Sequence, residues 1–232
     1  MMNQRIVAGA FICLPLLLQI PFTILTVEFH YPDILRSPAS EVLRQYAAAG
    51  PALPLVWYLY GALALLLCGA IAALPEVLAT QRPGMLRFAS TLGVASGLTA
   101  AIGIWRWVFA VPLLAREFLA APTPEAARAV ALVFEVQHQL LGAMVGEHLG
   151  QLLLGGWTAG IALAAAGCGA WFRSVGLATA AMLMAGSFDA LSSVFPAVGA
   201  LSAVPIAGFV SWAVWCVWLG VILWRQAQRR FR

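Results

Sequence analysis

FEVQHQLLGAMVGEHLGQLLLGGW, residues 134–157, is the stretch whose reading decides the fold. It holds two of the three histidines (His138, His148), two of the nine acids (Glu135, Glu147) and a Gly142-x-x-x-Gly146-x-x-x-Gly150 ladder, all in an apolar run. Ionisable groups in such a run are costly in a bilayer, so neighbouring helices must come to them. Upstream, Thr123-Pro124-Glu125 starts a helix: a capping hydroxyl, proline at the first helical position and an acid in the first turn. That helix continues to about residue 166, roughly 60 Å at 1.5 Å per residue, or twice the hydrocarbon thickness. Between Gly146 and Gly150 no Pro, Asn or Ser could build a turn, which favours one helix over two.

The whole chain is of the same kind. Of its 232 residues 62% are hydrophobic and 9% charged, and the mean hydropathy is +0.91. A water-facing surface needs far more charge than this. The apolar runs are too long and unbroken for a transmembrane β-barrel, whose segments alternate and are shorter. The expected fold is all-α: a polytopic transmembrane helical bundle in one domain, with spans near residues 6–27, 53–74, 86–111, 134–166, 174–195 and 205–224. Breaking the fourth span near Gly146 or Gly155-Gly156 gives a seven-span alternative.

Residues 6–27 read as a retained span. They exceed the apolar core of a signal peptide and end at Glu28-Phe29-His30-Tyr31 without a small-x-small cleavage pattern. Pro15 and Pro21 should bend this helix. Residues 40–49, with Glu41, Arg44 and Gln45, predict a short amphipathic helix on the membrane surface. Trp57, Tyr58 and Tyr60 suggest an interfacial belt, and residues 112–122 a loop. Ser90, Gly93, Ser96 and Gly97 give the third span the composition of a close helix contact.

All thirteen basic residues are arginines. The net charge of +4 does not point to nucleic acid, because Arg225, Arg229, Arg230 and Arg232 crowd the C-terminus, where they act as a topology signal or meet anionic headgroups. With six spans, the side holding both termini collects eight arginines and the other side Arg36, Arg44, Arg116 and Arg128. Arginine bias then places both termini in the cytoplasm and the protein in the cytoplasmic membrane. The four cysteines (Cys13, Cys68, Cys168, Cys216) lie in or at the ends of apolar runs and read as packing residues, not as disulfides or a zinc site.

Counted at 1.5 Å per residue from the cytoplasmic arginines, Arg106, Glu147, His148 and Asp189 fall at a common depth near the outer polar boundary, with Glu28 and His30 close by. They predict one polar cluster open to the outside. At 100° per residue, Glu135, His138, Gln139, Gly142 and Gly146 share one face of the fourth helix, while Glu147, His148 and Gln151 share nearly the opposite one. Polar groups on two faces predict a central helix exposed to lipid on neither, with its glycine face against a neighbour. The same Gly142/Gly146/Gly150 face is a candidate surface for a second copy or another membrane partner.

The bland reading of Arg106 with Glu147 or Asp189 is a structural ion pair. Glu135-x-x-His138 has the i, i+3 spacing of di-iron helices, but that architecture needs a second such motif. A catalytic zinc would draw on His30, His138 or His148 with Glu147 or Asp189, without an H-E-x-x-H to anchor it. His138 and His148 lie about 15 Å apart along one axis and cannot face each other across a haem iron. Ser187, Ser192 and Ser193 near Asp189 read as packing or backbone-bonding serines rather than nucleophiles. No cofactor is expected. A metal, if bound, would fall to His138, His148 and Glu147.

Arg106 at the end of the third span, His148 amid regularly spaced glycines, and Gly186-Ser187-Phe188-Asp189 before Ser192-Ser193-Val194-Phe195-Pro196 together resemble a family of bacterial multi-pass membrane proteins of unknown function. The resemblance covers the last two-thirds of the chain and implies six or seven spans. It implies no activity.

The functional expectation is a bundle that binds a small ligand or partner in an outward-facing polar pocket. Arg106, Glu147, His148, Asp189, Glu135 and His138 are the candidate residues. A histidine beside two carboxylates would make binding respond to pH between about 5 and 8. The rivals are a metal-dependent intramembrane hydrolase and a small secondary transporter, although no inverted repeat supports the second.

Overall fold

A computed structural model describes residues 3–192, 195, 197 and 203–229. Ser193, Val194, Pro196, Arg230 and Arg232, used above, lie outside the described residues. The elements are α1 (Gln4–Phe29), α2 (Ala39–Ala48), α3 (Ala52–Val77), α4 (Pro83–Phe109), α5 (Val111–Ala120), α6 (Pro124–Gln137), α7 (Gly150–Ala164), α8 (Ala170–Gly186) and α9 (Ala203–Arg229). Short 3-10 turns fall at Asp33–Arg36, Ala166–Cys168 and Ser187–Leu191. Among the described residues there is no strand, and six helical stretches are long and apolar enough to cross a membrane. The all-α bundle expected from composition is what forms. Ends of helices that carry neither terminus are called distal below.

The fourth stretch runs unbroken from Pro124 to Ala164, 41 residues, so one helix forms and not two. Its middle, His138–Leu149, is wound as a π-helix. Thr123 caps the start, accepting a hydrogen bond from the Ala126 N–H at 3.2 Å. α1 continues through Pro15 and Pro21, and the carbonyl that Pro15 contributes is engaged by Gln19 Nε2 at 3.1 Å.

Several local expectations give way to packing. Residues 111–120 are helical, where a loop was expected: Pro112 sits in the first turn of α5, the position a helix tolerates best. α2 does not keep its apolar side for headgroups; Val42, Leu43 and Tyr46 are buried, and Tyr46 donates to the Trp107 carbonyl. Desolvation pushes the Tyr46 phenol up from its ordinary value. Trp57 is no belt residue either. It is 1% exposed and stacks on Trp107, rings 5.1 Å apart and nearly parallel, in a cluster with Phe29, Tyr31 and Tyr46. Such ring pairs contribute about 0.5–1.5 kcal/mol each beyond the area they bury. This aromatic block seats the distal segments on the bundle. A second core, centred on Trp157, Trp215 and Phe172, holds α1, α4, α7, α8 and α9 together.

Candidate functional site

Glycines bring α4 against the π-helix. A Cβ on Gly103 would lie 2.7 Å from the Gly146 Cα, and one on Gly146 would lie 3.0 Å from the Gly103 Cα, so the two backbones touch. One step along, Ser96 Oγ donates to the Gly150 carbonyl at 2.8 Å. The glycine face therefore meets α4 of the same chain.

That approach positions Arg106. Its guanidinium lies over Gly142, where a Cβ would fall 2.5 Å from Nη2 and 2.6 Å from Cζ. Nη1 donates to the Gly103 carbonyl, and Nη2 lies 3.3 Å from His138 Nδ1. His138 Nε2 is 3.0 Å from the Leu35 carbonyl, which can only accept, so Nε2 carries the hydrogen and Nδ1 accepts from Arg106. This chain of bonds ties α4, the π-helix and the Asp33–Arg36 turn together. Arg106 is not within ion-pair distance of Glu147 or Asp189, contrary to the pairing drawn from depth alone.

Their cation is Arg36. Nη2 of Arg36 donates to Glu147 Oε2 at 2.7 Å and to Asp189 Oδ2 at 3.1 Å, bridging the π-helix and the Ser187–Leu191 turn. Desolvation pulls the guanidinium down, but attraction and hydrogen bonding from Glu147 and then Asp189 outweigh it and leave it raised. Charge balance was the available signal: two acids within spans and one arginine among them require a second cation from a loop. Arg36 had been counted only as a topology charge.

The π-winding explains how Glu147 reaches this place. On an α-helix, residues five apart lie about 140° from one another; an i→i+5 turn returns them toward one side. Glu147 is five residues from Gly142, and Gln151 five from Gly146. Instead of opposing the glycines, both acceptors line the same cavity as Gly142, Gly146 and Gly150. Val136, Leu140, Met144 and Leu149 are exposed apolar residues on this helix, with Glu135 and Gln139 exposed beside them. Lipid exposure on neither face is thus corrected to exposure on one.

The cavity has a volume of about 160 Å³ and is walled by α1, α3, α4, α7, α9 and the π-helix. Buried polar atoms on its lining residues lack a hydrogen-bond partner: the donors Arg106 Nε, Trp57 Nε1 and Trp212 Nε1, and the acceptors Glu147 Oε1 and Gln151 Oε1. Most buried polar atoms are paired; these five are packed within the walls, closed off from the cavity space. A second chamber of about 190 Å³ lies distal to it, with Arg36, Asp33 and Asp189 in its lining. Phe22, Tyr31, Leu35, Glu147, Gln151 and Phe209 line both. Desolvation of the Tyr31 phenol, and next the Glu147 carboxylate, push it up to about 12.

Not every candidate joins this site. His148 lines neither chamber; its Nδ1 donates to the Ser187 carbonyl at 3.0 Å, and its ring meets Phe188 edge-on. Glu135 is exposed and lines a shallow surface groove with Arg44 and Arg128, apart from the buried His138. His30 caps the end of α1 in the left-handed region and is exposed. Among the described residues no three His, Cys, Asp or Glu side chains converge as a metal site would require.

No curated protein and no solved structure is similar enough to match. A family profile does match, over residues 6–222, which include both chambers and the α4–π-helix contact. By that match the chain belongs to the family described as a domain of unknown function (DUF4386).

Proposed function

We propose that this protein is a binding protein of the cytoplasmic membrane, its termini cytoplasmic and its two connected chambers open toward the outer side. The arginine distribution supports the orientation. The observation that carries the binding reading is the cavity of about 160 Å³ inside the bundle, with Arg106, Glu147 and Gln151 among its lining residues. A mostly apolar hollow with a few polar residues in its lining is the usual form of a small-molecule site. Arg36, Glu147 and Asp189 form the mouth; Arg106, Trp57, Trp212 and Gln151 line the interior. His148 lines neither chamber and makes no contact with the guest.

Native mass spectrometry of the purified chain in nanodiscs tests it. Ala64→Leu with Ala100→Leu pushes two side chains into the cavity from residues that line it. Bound adducts of the original chain should disappear from this variant. Identical adducts in both would refute the proposal.

A further inference from the structure

Resting on that reading, we infer that the guest is an amphiphile with an anionic head, a carboxylate or a phosphate. The charge of the inner walls points to it. Arg106 lines the cavity, and among the described residues no acid lies within ion-pair distance of it. Its partners are neutral: the Gly103 carbonyl, His138 Nδ1 and the ring of Trp107, whose centroid is 5.0 Å from Cζ. A guanidinium kept from water without a counter-charge is costly, and an anion beside it removes much of that cost.

Glu147 lines the same cavity, but its charge is already answered. Arg36 holds Oε2 at 2.7 Å, and Oε1 is closed off within the wall. The surplus of acids lies in the distal chamber, where Asp33, Glu147 and Asp189 share Arg36. An anionic head therefore belongs beside Arg106 and not at the mouth. Donors await it there. Tyr31 and Tyr60 line the cavity, neither phenol oxygen has a hydrogen-bond partner among the described residues, and neither is among the atoms closed off in the walls. Each offers one O–H to an anion, the stronger kind of hydrogen bond.

The tail follows from the remaining surface. Leu18, Leu67, Ile71 and Leu154 supply apolar lining. Phe22 on α1 and Phe209 on α9 line both chambers, and Phe209 is also 36% exposed. A tail lying past these rings reaches lipid, so the guest enters from the bilayer and avoids the acids of the distal chamber.

The test uses the full chain in phosphatidylcholine nanodiscs and native mass spectrometry with dodecanoate, dodecyl phosphate, dodecan-1-ol and dodecylamine. One or both anions should form a 1:1 adduct at a concentration about tenfold lower than the alcohol or the amine requires, the better of the two naming the head. Arg106→Gln should weaken that adduct about tenfold and leave the alcohol unchanged, whereas Arg106→Lys, which keeps the charge, should retain most of it. Because Arg106 also holds Gly103 and His138, Tyr60→Phe serves as a milder second variant and should weaken the anion adduct about fivefold. Alcohol or amine binding as tightly as the anions overturns the anionic inference. So does an anion adduct unchanged by Arg106→Gln and Tyr60→Phe, or one that Arg106→Gln weakens no more than the alcohol. The cavity reading survives in those cases if Ala64→Leu with Ala100→Leu still abolishes binding. Adducts indifferent to the Arg106 and the cavity-filling substitutions alike overturn the inference and the binding proposal together.

Discussion

Replacing Arg36 with Met removes the one cation within ion-pair distance of both Glu147 and Asp189 among the described residues, while keeping most of the side chain's apolar stem. At an effective dielectric of about 20, contacts at 2.7 and 3.1 Å correspond to roughly 6 and 5 kcal/mol of gross attraction. Most of that is offset by desolvation. Exposed pairs contribute about 0.2–1 kcal/mol net, and stranding one partner of a fully buried pair costs about 3–5. Side-chain exposures of 36% for Arg36, 20% for Glu147 and 16% for Asp189 lie between those limits. A loss of about 2 kcal/mol follows for Arg36→Met. For a chain of this size that lowers the apparent Tm by roughly 4–8 °C, measured by thermal unfolding in one detergent at fixed protein concentration. A double-mutant cycle makes the test specific. Glu147→Gln removes the charge that Arg36 answers, so Arg36→Met should cost about 1 kcal/mol less in that background. Full additivity of the two substitutions would refute the bridge, whatever each costs alone.

Three further outcomes follow from the same geometry. Gly142→Ala drives a methyl into the Arg106 guanidinium and Gly103→Ala drives one into the Gly146 backbone, so each should cost about 1–3 kcal/mol by overpacking; Gly69→Ala, with open space around it, serves as the control in the same thermal assay. His138→Leu removes the acceptor for Arg106 and the donor to Leu35, and should destabilise by about 3 kcal/mol, with faster hydrogen exchange in the Asp33–Arg36 turn as its local signature. The Tyr31 phenol, raised from 10.0 to about 12, holds its proton more tightly when folded, so the stability it supplies is complete below pH 10 and lost as pH rises through about 12; a stability–pH titration should fall less over that window in Tyr31→Phe.

Hydropathy made the spans legible because lipid imposes one requirement on every residue of a crossing helix. It could not locate α5, since a ten-residue helix beside a span has no length signature of its own. Depth counting grouped Arg106, Glu147 and Asp189 correctly at one end, because rise per residue is a property of the backbone. Pairing within the group was not legible. Arg36 comes from a turn more than a hundred residues away in sequence from Glu147, and no local pattern fixes where a four-residue turn will aim a guanidinium. Trp57 was misplaced for a related reason: an aromatic at the end of a span suits the interface, but here Phe29 and Trp107 supply a drier surface.

The angular reading of residues 134–157 failed most instructively. A wheel at 100° per residue assumes i→i+4 bonding throughout, and twelve residues here do not obey it. The error is systematic: it carries Glu147 and Gln151 from the far side of the helix to the glycine side, where α4 already approaches closely enough for Gly103 to touch Gly146. Ordinary winding would place either the carboxylate toward lipid or the glycines away from α4. The π-segment lets one helix offer small residues to a neighbour and acceptor residues to a cavity on the same side, while Val136, Leu140 and Met144 are exposed. Wider winding is rare and is found frequently at functional sites. Its stability here must come from the contacts it allows, namely the Gly103–Gly146 packing, the Arg106–His138–Leu35 chain and the Arg36 bridge. Weakening any of them should shift the segment toward α-helical winding and turn Glu147 out of the cavity, so guest binding and local helix form are coupled through one stretch of backbone.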